Sequence, residues 1–346
     1  MHFWIRAETR PDEARLPLTP EAVGILGAKG HRITVEASAQ AAIPLDDYID
    51  QGAHPAEQGS WPTAPEDVYV LGLKELPDTG LPLSHKHIMF GHAYKRQPQA
   101  KTFLNRFKAG GGTLLDLEYL TDVAGNRRVA FGQWAGFAGT VVTVRAWAAG
   151  QSGKPCPPVV MQRTSTAMLD QVRAELGSAQ PRVLVIGAKG RVGSGALRAA
   201  EELNLPITRW DMAETAHGGP YPEIRHHDIM LNCILAGPKS PVFLSVSDLS
   251  LPRQLTTIGD IACDPGSPFS PLPIYDASTT WEKPTTLVHD SPTLEVMAID
   301  NLPSLLPREA SQDFSAQLLP ILLEMTDDPN GTWAKAKDHF HIACSD

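Results

Sequence analysis

The chain has 346 residues, enough for two domains that each bury a core, with 42% hydrophobic and 20% charged residues. A formal net charge of −9 argues against nucleic acid or an anionic membrane as the main partner, because either would need a basic face. Any anionic substrate must therefore meet a local basic pocket.

Arg6 and Glu8 interrupt the N-terminus before the apolar core of a signal peptide can form. The longest candidate for a membrane span, residues 131–144, is too short and too rich in Gly and Ala to cross a bilayer. Four scattered cysteines, Cys156, Cys233, Cys263 and Cys344, form no C-x-x-C pair, so neither a disulfide framework nor a metal site is expected. Free thiols in the cytoplasm are the plain expectation.

Residues 2–5 read as a strand. Thr19-Pro20-Glu21 then supplies an N-cap with proline at the first helical position, for a helix running to Gly27 or Gly30. Strands follow at 33–36, 67–73, 86–92 and 113–116, with a helix at 97–109. Strands alternating with helices predict a first parallel-sheet domain. Residues 132–149 read as a long helix with a small-residue face that packs closely on a neighbour and connects into a second domain. Beyond the proline-rich break at 154–158 come a helix at 164–175 and strands near 229–235, 255–261 and 286–288. A helix at 314–325 follows, and an amphipathic segment at 333–342 is expected to return to the first domain.

The second domain is organised around Val183-Leu184-Val185-Ile186-Gly187-Ala188-Lys189-Gly190-Arg191-Val192-Gly193, a β-branched run that breaks at Gly187 and gives way to an Ala-rich helical pattern. That is how a strand feeds a helix whose N-terminal amides receive a pyrophosphate. The spacing is Gly187-x-x-Gly190-x-x-Gly193 and Lys189 stands where a second glycine is usual, so the loop alone also fits an ordinary strand–turn–helix. Asp211, closing the next apolar run, favours a dinucleotide by accepting from the adenosine ribose, and NAD over NADP by repelling a 2′-phosphate. Arg209 is the residue that could accommodate that phosphate.

Chemically capable residues follow three strands of the first domain: Lys74-Glu75, then His92 with Tyr94-Lys95, then Glu118. Strand carboxyl ends in an open parallel sheet face the ligand crevice. Each residue alone also fits a solvated loop position; together they point to a site. Asp260 and Asp264 end another strand, where they serve equally as cofactor neighbours or turn formers.

Arg6-Ala7-Glu8-Thr9, Glu13-Ala14-Arg15, Leu18-Thr19-Pro20, Leu71-Gly72-Leu73-Lys74-Glu75, His92-Ala93-Tyr94-Lys95, Asp116-Leu117-Glu118, Arg127-Arg128-Val129-Ala130-Phe131-Gly132 and the run Asp300 to Glu309 resemble, nearly end to end, the NAD-dependent, lysine-forming saccharopine dehydrogenases. The Glu-x-Arg start and the lysine after the strand also touch the wider alanine dehydrogenase and transhydrogenase group. The resemblance implies an α/β fold of two Rossmann-like parallel-sheet domains with the active cleft between them. Residues 1–131 plus 307–346 would form the substrate domain, and 132–306 the dinucleotide domain. It implies NAD as cofactor and reversible oxidation of saccharopine to L-lysine and 2-oxoglutarate.

By the same resemblance Lys74 and His92 handle the protons. Arg15, Gln97, Arg128 and Phe131 bind the substrate, and Glu75 and Glu118 tune the pocket's charge. Gly187, Gly190, Arg191, Gly193, Asp211, Thr215, Arg127, Asp300 and Leu302 bind the cofactor, with Asp300 near the nicotinamide. The partners implied are saccharopine, or lysine plus 2-oxoglutarate, with a monomer favoured. Leu235 departs from the pattern, standing where the fungal enzymes tend to carry an aromatic. Two alternatives stay open at this level: a related alanine- or opine-type dehydrogenase, and a non-catalytic NAD(H) sensor.

Overall fold

The computed structural model describes residues 1–94, 98–326 and 331–345, and the chain divides into two compact units, Met1–Ala130 with Pro307–Asp346 and Phe131–Leu306. In the first unit, strands β1 (His2–Ile5), β2 (Arg32–Glu36), β3 (His54–Ala56), β4 (Tyr69–Leu71), β5 (Lys86–Met89) and β6 (Thr113–Asp116) form one sheet in the order β3-β2-β1-β4-β5-β6. Every neighbouring pair is parallel. The order reverses between β1 and β4, so the crevice of an open sheet lies at their carboxyl ends. β3 was not expected from the sequence: three residues, one of them proline, carry no readable pattern.

Helix α1 (Pro20–Ala28) starts where expected, the Thr19 hydroxyl accepting from the Ala22 amide, and ends before Gly30, which takes φ +82°. Two short helices complete this part, α2 (Leu45–Ile49) and α3 (Pro98–Gly110).

The second unit opens with α4 (Gly132–Gln151), followed by α5 (Ser165–Leu176), capped by Thr164. Strand β7 (Val183–Ile186) feeds α6 (Arg191–Glu202), and β8 (Ile207–Trp210) leads into the one-turn α7 (Met212–Thr215). The sheet is completed by β9 (Ile229–Asn232), β10 (Thr257–Asp260), β11 (Thr285–Asp290) and β12 (Thr293–Met297), in the order β11-β12-β10-β9-β7-β8. All four residues of β7 are buried, as expected of a parallel strand covered on both faces. The sheet is parallel, as expected, except at one edge. β11 and β12 form an antiparallel hairpin with a register shift between Leu287 and His289, and the alternation of β12 was not recognised.

The expected connector, α4, is the central helix of the second unit, and its small residues meet α6. A β-carbon on Gly136 would sit 1.9 Å from the Val192 carbonyl oxygen, and one on Gly195 would sit 1.8 Å from that of Gln133. Only hydrogen side chains allow the two backbones this approach.

The chain then returns to the first unit as α8 (Pro307–Leu323) and α9 (Thr332–Ser345). α8 starts seven residues before the apolar stripe that suggested it. Its Ser311 and Ser315 hydroxyls accept the Leu16 and Thr19 amides at 2.9 and 3.0 Å, which pins the loop carrying Arg15. Phe340 of α9 packs edge-on to Phe107 at 5.7 Å.

Gly136→Ala should lower stability by about 2–4 kcal/mol through overpacking at α6. Gly150→Ala, near the end of the same helix with no atom within 4 Å of the added carbon, should raise it by about 0.5–1 kcal/mol. Urea unfolding midpoints of the two variants test the contrast.

Candidate functional site

The two strands at the reversal point of the first sheet are tied together by one buried ion pair. Glu8, just past β1, accepts the Leu73 amide at 2.7 Å and the Lys74 amide at 3.2 Å through its two carboxylate oxygens. Arg6 lies 3.3 Å from Glu8 and donates to the Lys74 carbonyl, and both side chains are almost wholly buried. Gly72 is required here, since a β-carbon would lie 2.3 Å from Arg6 Nε. Burial pushes the Glu8 carboxyl up, and the Arg6 charge and two backbone amides oppose it. Lys74 is thus held by its own backbone at the carboxyl edge.

Beside it, Arg15 is buried and grips Glu13 as a fork, Nε to Oε1 at 2.7 Å and Nη2 to Oε2 at 2.5 Å. Burial works against the Glu13 charge, yet Arg15 and then Lys74 hold its carboxyl below the ordinary value. This fixes Lys74 electrostatically close to Glu13. Glu13 was not singled out from the sequence, although its place two residues before a candidate arginine was a usable signal.

His92 follows β5 on a non-glycine residue with φ +47°, a conformation that disfavours most side chains. Its ring stacks on Phe90, centroids 6.4 Å apart at 18°. Nε2 is 3.6 Å from Glu75 and Nδ1 is 3.6 Å from Glu118. The Glu118 contact, resisted by partial burial and aided by the Glu75 charge, raises the imidazole pKa. Glu75 also meets Arg10 at 3.3 Å, and Glu118 pairs with Arg127. Arg10, Glu75 and His92 border a pocket of about 640 Å³, which Gly91, Phe103 and Arg106 also line.

The remaining expected substrate residues fall out unevenly. Gln97 lies outside the described residues. Arg128 is engaged within the first unit, Nη1 donating to Glu324 at 2.7 Å and to Thr332 at 3.1 Å. Phe131 stands at the N-cap of α4, its carbonyl accepting the Ala135 amide at 3.0 Å.

The glycine loop occupies the corresponding reversal point of the second sheet, between β7 and β9. Gly187 takes φ +84°, and its missing β-carbon would meet Ile234 at 2.7 Å. Gly190 is the N-cap of α6 and offers no side-chain cap. A β-carbon on Gly193 would lie 2.1 Å from the Gly187 carbonyl oxygen, which makes this the glycine of close helix–strand packing. Arg191 opens α6.

Asp211 caps α7 and accepts the Lys189 amide at 2.8 Å, so the acid and the loop hold each other. Those backbone donors lower its pKa. Thr215 donates to the Asp211 carbonyl at 3.0 Å. Arg209 is paired with Glu201 at 2.7 Å, and the Lys189 side chain is exposed. These positions match what a dinucleotide requires of the chain: a tight turn, a helix start without a side-chain cap and a carboxylate at the neighbouring strand end.

Asp300 is exposed, whereas the Leu302 side chain is buried against α4, which leaves only its backbone for a ligand. Leu235 is exposed. Of the two carboxylates at the end of β10, Asp260 is structural in its contacts: buried, bonded by Asn232 at 2.8 Å and by the Tyr275 hydroxyl at 2.6 Å. No group that could hold a metal occurs among the described residues, and no helix is long and apolar enough to cross a membrane.

Residues 4–138 match the model for the alanine dehydrogenase/PNT N-terminal domain. Among solved structures, an L-alanine dehydrogenase superposes with a TM-score of 0.70 at 18% identity, over 99% of this chain and 94% of that one. A transhydrogenase from Sinorhizobium meliloti gives 0.64 at 16% identity, over 97% of each chain. The class is therefore an α/β protein with the alanine dehydrogenase and transhydrogenase fold. Within it, the chain belongs to the NAD(+)-dependent, L-lysine-forming saccharopine dehydrogenase family. It is 43% identical to the enzyme of that name from Emericella nidulans, over 98% of this chain and 96% of that one. It is 44% identical to the one from Yarrowia lipolytica, over 97% and 95%.

Because the Glu118 contact is the largest support for the His92 imidazolium, Glu118→Gln should move the His92 titration midpoint down. Ring-proton NMR across pH 5–9 checks the sign.

Proposed function

We propose that this protein catalyses the reversible NAD-dependent conversion of saccharopine and water to L-lysine and 2-oxoglutarate. The observation that carries this reading is the identity of 43% to 44%, spread over nearly the whole chain, with L-lysine-forming saccharopine dehydrogenases. NAD supplies the acceptor for the hydride that leaves the glutamyl Cα. The glycine loop, the start of α6 and Asp211 would hold it. Asp211 favours the 2′-hydroxyl over a 2′-phosphate, and the engagement of Arg209 by Glu201 supports that preference.

The first unit handles protons. Lys74 takes the proton from the saccharopine nitrogen as the carbon–nitrogen bond becomes an imine. Water adds to the imine carbon, and His92 moves protons at the carbinolamine oxygen and the departing amine as lysine leaves. Three carboxylates crowd the two bases, Glu13 near Lys74 and Glu75 and Glu118 at His92, and each is already paired with an arginine: Arg15, Arg10 and Arg127. That pairing limits how far the acids raise the basicity of His92.

Arg15, pre-oriented by Glu13, and Arg128 with Phe131 receive the substrate carboxylates. At Arg128 the incoming carboxylate must share or replace Glu324. Four free thiols, of which burial pushes Cys156 up to about 12 and Cys233 higher still, suit a reducing cytoplasm.

NADH oxidation at 340 nm should require lysine plus 2-oxoglutarate and should be weak with ammonia plus pyruvate or with NADPH. Lys74→Met and His92→Gln should each lower kcat by about 10²–10⁴-fold with NADH affinity retained. Full activity in both variants would remove the assignment of the bases, and preference for ammonia plus pyruvate would move the substrate to the alanine type.

A further inference from the structure

Directly beneath the His92 loop lies an acid to which the proton chemistry above assigns nothing. Asp116 ends β6 and is completely buried. Its Oδ1 accepts the Glu118 amide at 2.9 Å, closing the 3-10 turn Leu117–Tyr119 that presents the Glu118 side chain to His92. Its Oδ2 faces Gly91, only 3.2 Å from where a β-carbon on that residue would be. Gly91 immediately precedes His92, so one carboxyl group contacts both the turn that carries the partner of His92 and the loop that carries His92 itself.

The other titratable groups around this carboxyl are few among the described residues. Glu118 adds negative charge and is held by Arg127, and Glu75 with Arg10 meets the far side of His92. Tyr94, after the loop, donates to the Leu114 carbonyl at 3.3 Å. Tyr119 packs on His339 of α9 at 4.8 Å, and Cys344 of α9 lies near Tyr94. Burial keeps both phenols protonated. Of the two histidines here, His92 is the one whose charge acts on the Asp116 carboxyl.

We propose that Asp116 is a positioning residue for His92: its buried carboxylate holds the turn that presents Glu118 and places a negative charge beneath the His92 loop. The inference rests on the reading of His92 as a proton carrier in the reaction. Burial raises the Asp116 carboxyl to about 6, with the Glu118 charge adding to the rise and the imidazolium opposing it. Above that value the carboxylate supports a protonated His92; below it the support is lost.

The test is Asp116→Asn, which keeps the shape and an oxygen for the Glu118 amide and removes only the charge. The His92 ring titration, followed by NMR without substrate or cofactor, should move to lower pH. The acid limb of the kcat/KM profile should follow it, and kcat at neutral pH should fall about tenfold with NADH affinity unchanged. A folded Asp116→Asn protein whose His92 midpoint and pH profile equal those of the parent would overturn the proposal and leave Asp116 a plain structural acid.

If the variant does not fold, the reciprocal measurement decides. The Asp116 carboxyl carbon, titrating near 6 in the parent, should titrate higher in His92→Gln, because a coupling between two sites acts equally on both. No movement would overturn the proposal. Failure of the catalytic reading is a separate outcome, since it would appear as full turnover in His92→Gln whatever the two titrations do.

Discussion

The buried pair Arg6–Glu8 is the contact on which the first unit's chemistry depends. Two charges taken out of water are tolerable only when they are paired and hydrogen-bonded, and removing one member of such a pair costs on the order of 3–5 kcal/mol. Here the partners are the backbone of Leu73 and Lys74, so the satisfaction of the ion pair and the placement of Lys74 are one arrangement. The strand-end lysine, on a loop that would otherwise wander, inherits the rigidity of a core.

The second unit reaches comparable order by a different route, through the absence of side chains. Gly136 and Gly195 let α4 and α6 meet backbone to backbone, and Gly193 lets α6 settle onto the turn after β7. Asp211 then bonds the Lys189 amide, so the loop that would receive the phosphates and the acid that would read the ribose are fixed relative to each other. Steric permission sets the distances and one carboxylate sets the register. Around His92 a third arrangement operates, in which acids are matched one to one with arginines and the imidazole takes its charge from what remains.

Local signals were legible in the sequence wherever a single residue type does one job. Thr19 caps its helix as its hydroxyl before a helical pattern announced, and the unbroken apolar run of β7 breaks at a glycine with positive φ. The substitution of Lys189 for a glycine is accommodated as its exposed side chain requires, with only its amide turned inward. What stayed hidden was long-range pairing. Arg128 meets a glutamate 196 residues away, and Arg127 meets Glu118 across a turn, and no periodicity records either. Of the β11–β12 hairpin only β11 was read, and its pairing with β12 carries a register shift. The start of α8 was missed because its first turns bury serines, which bond the N-terminal loop, in place of an apolar stripe.

The central claim is that hydride moves between a nicotinamide and the glutamyl carbon of saccharopine while this chain handles the protons. Its most direct test is to run the reverse reaction with lysine, 2-oxoglutarate and NADH dideuterated at C4, and to isolate the product for mass spectrometry. The account predicts saccharopine carrying one deuterium at the glutamyl Cα. Consumption of NADH that leaves lysine unmodified, or saccharopine without the label, would contradict it.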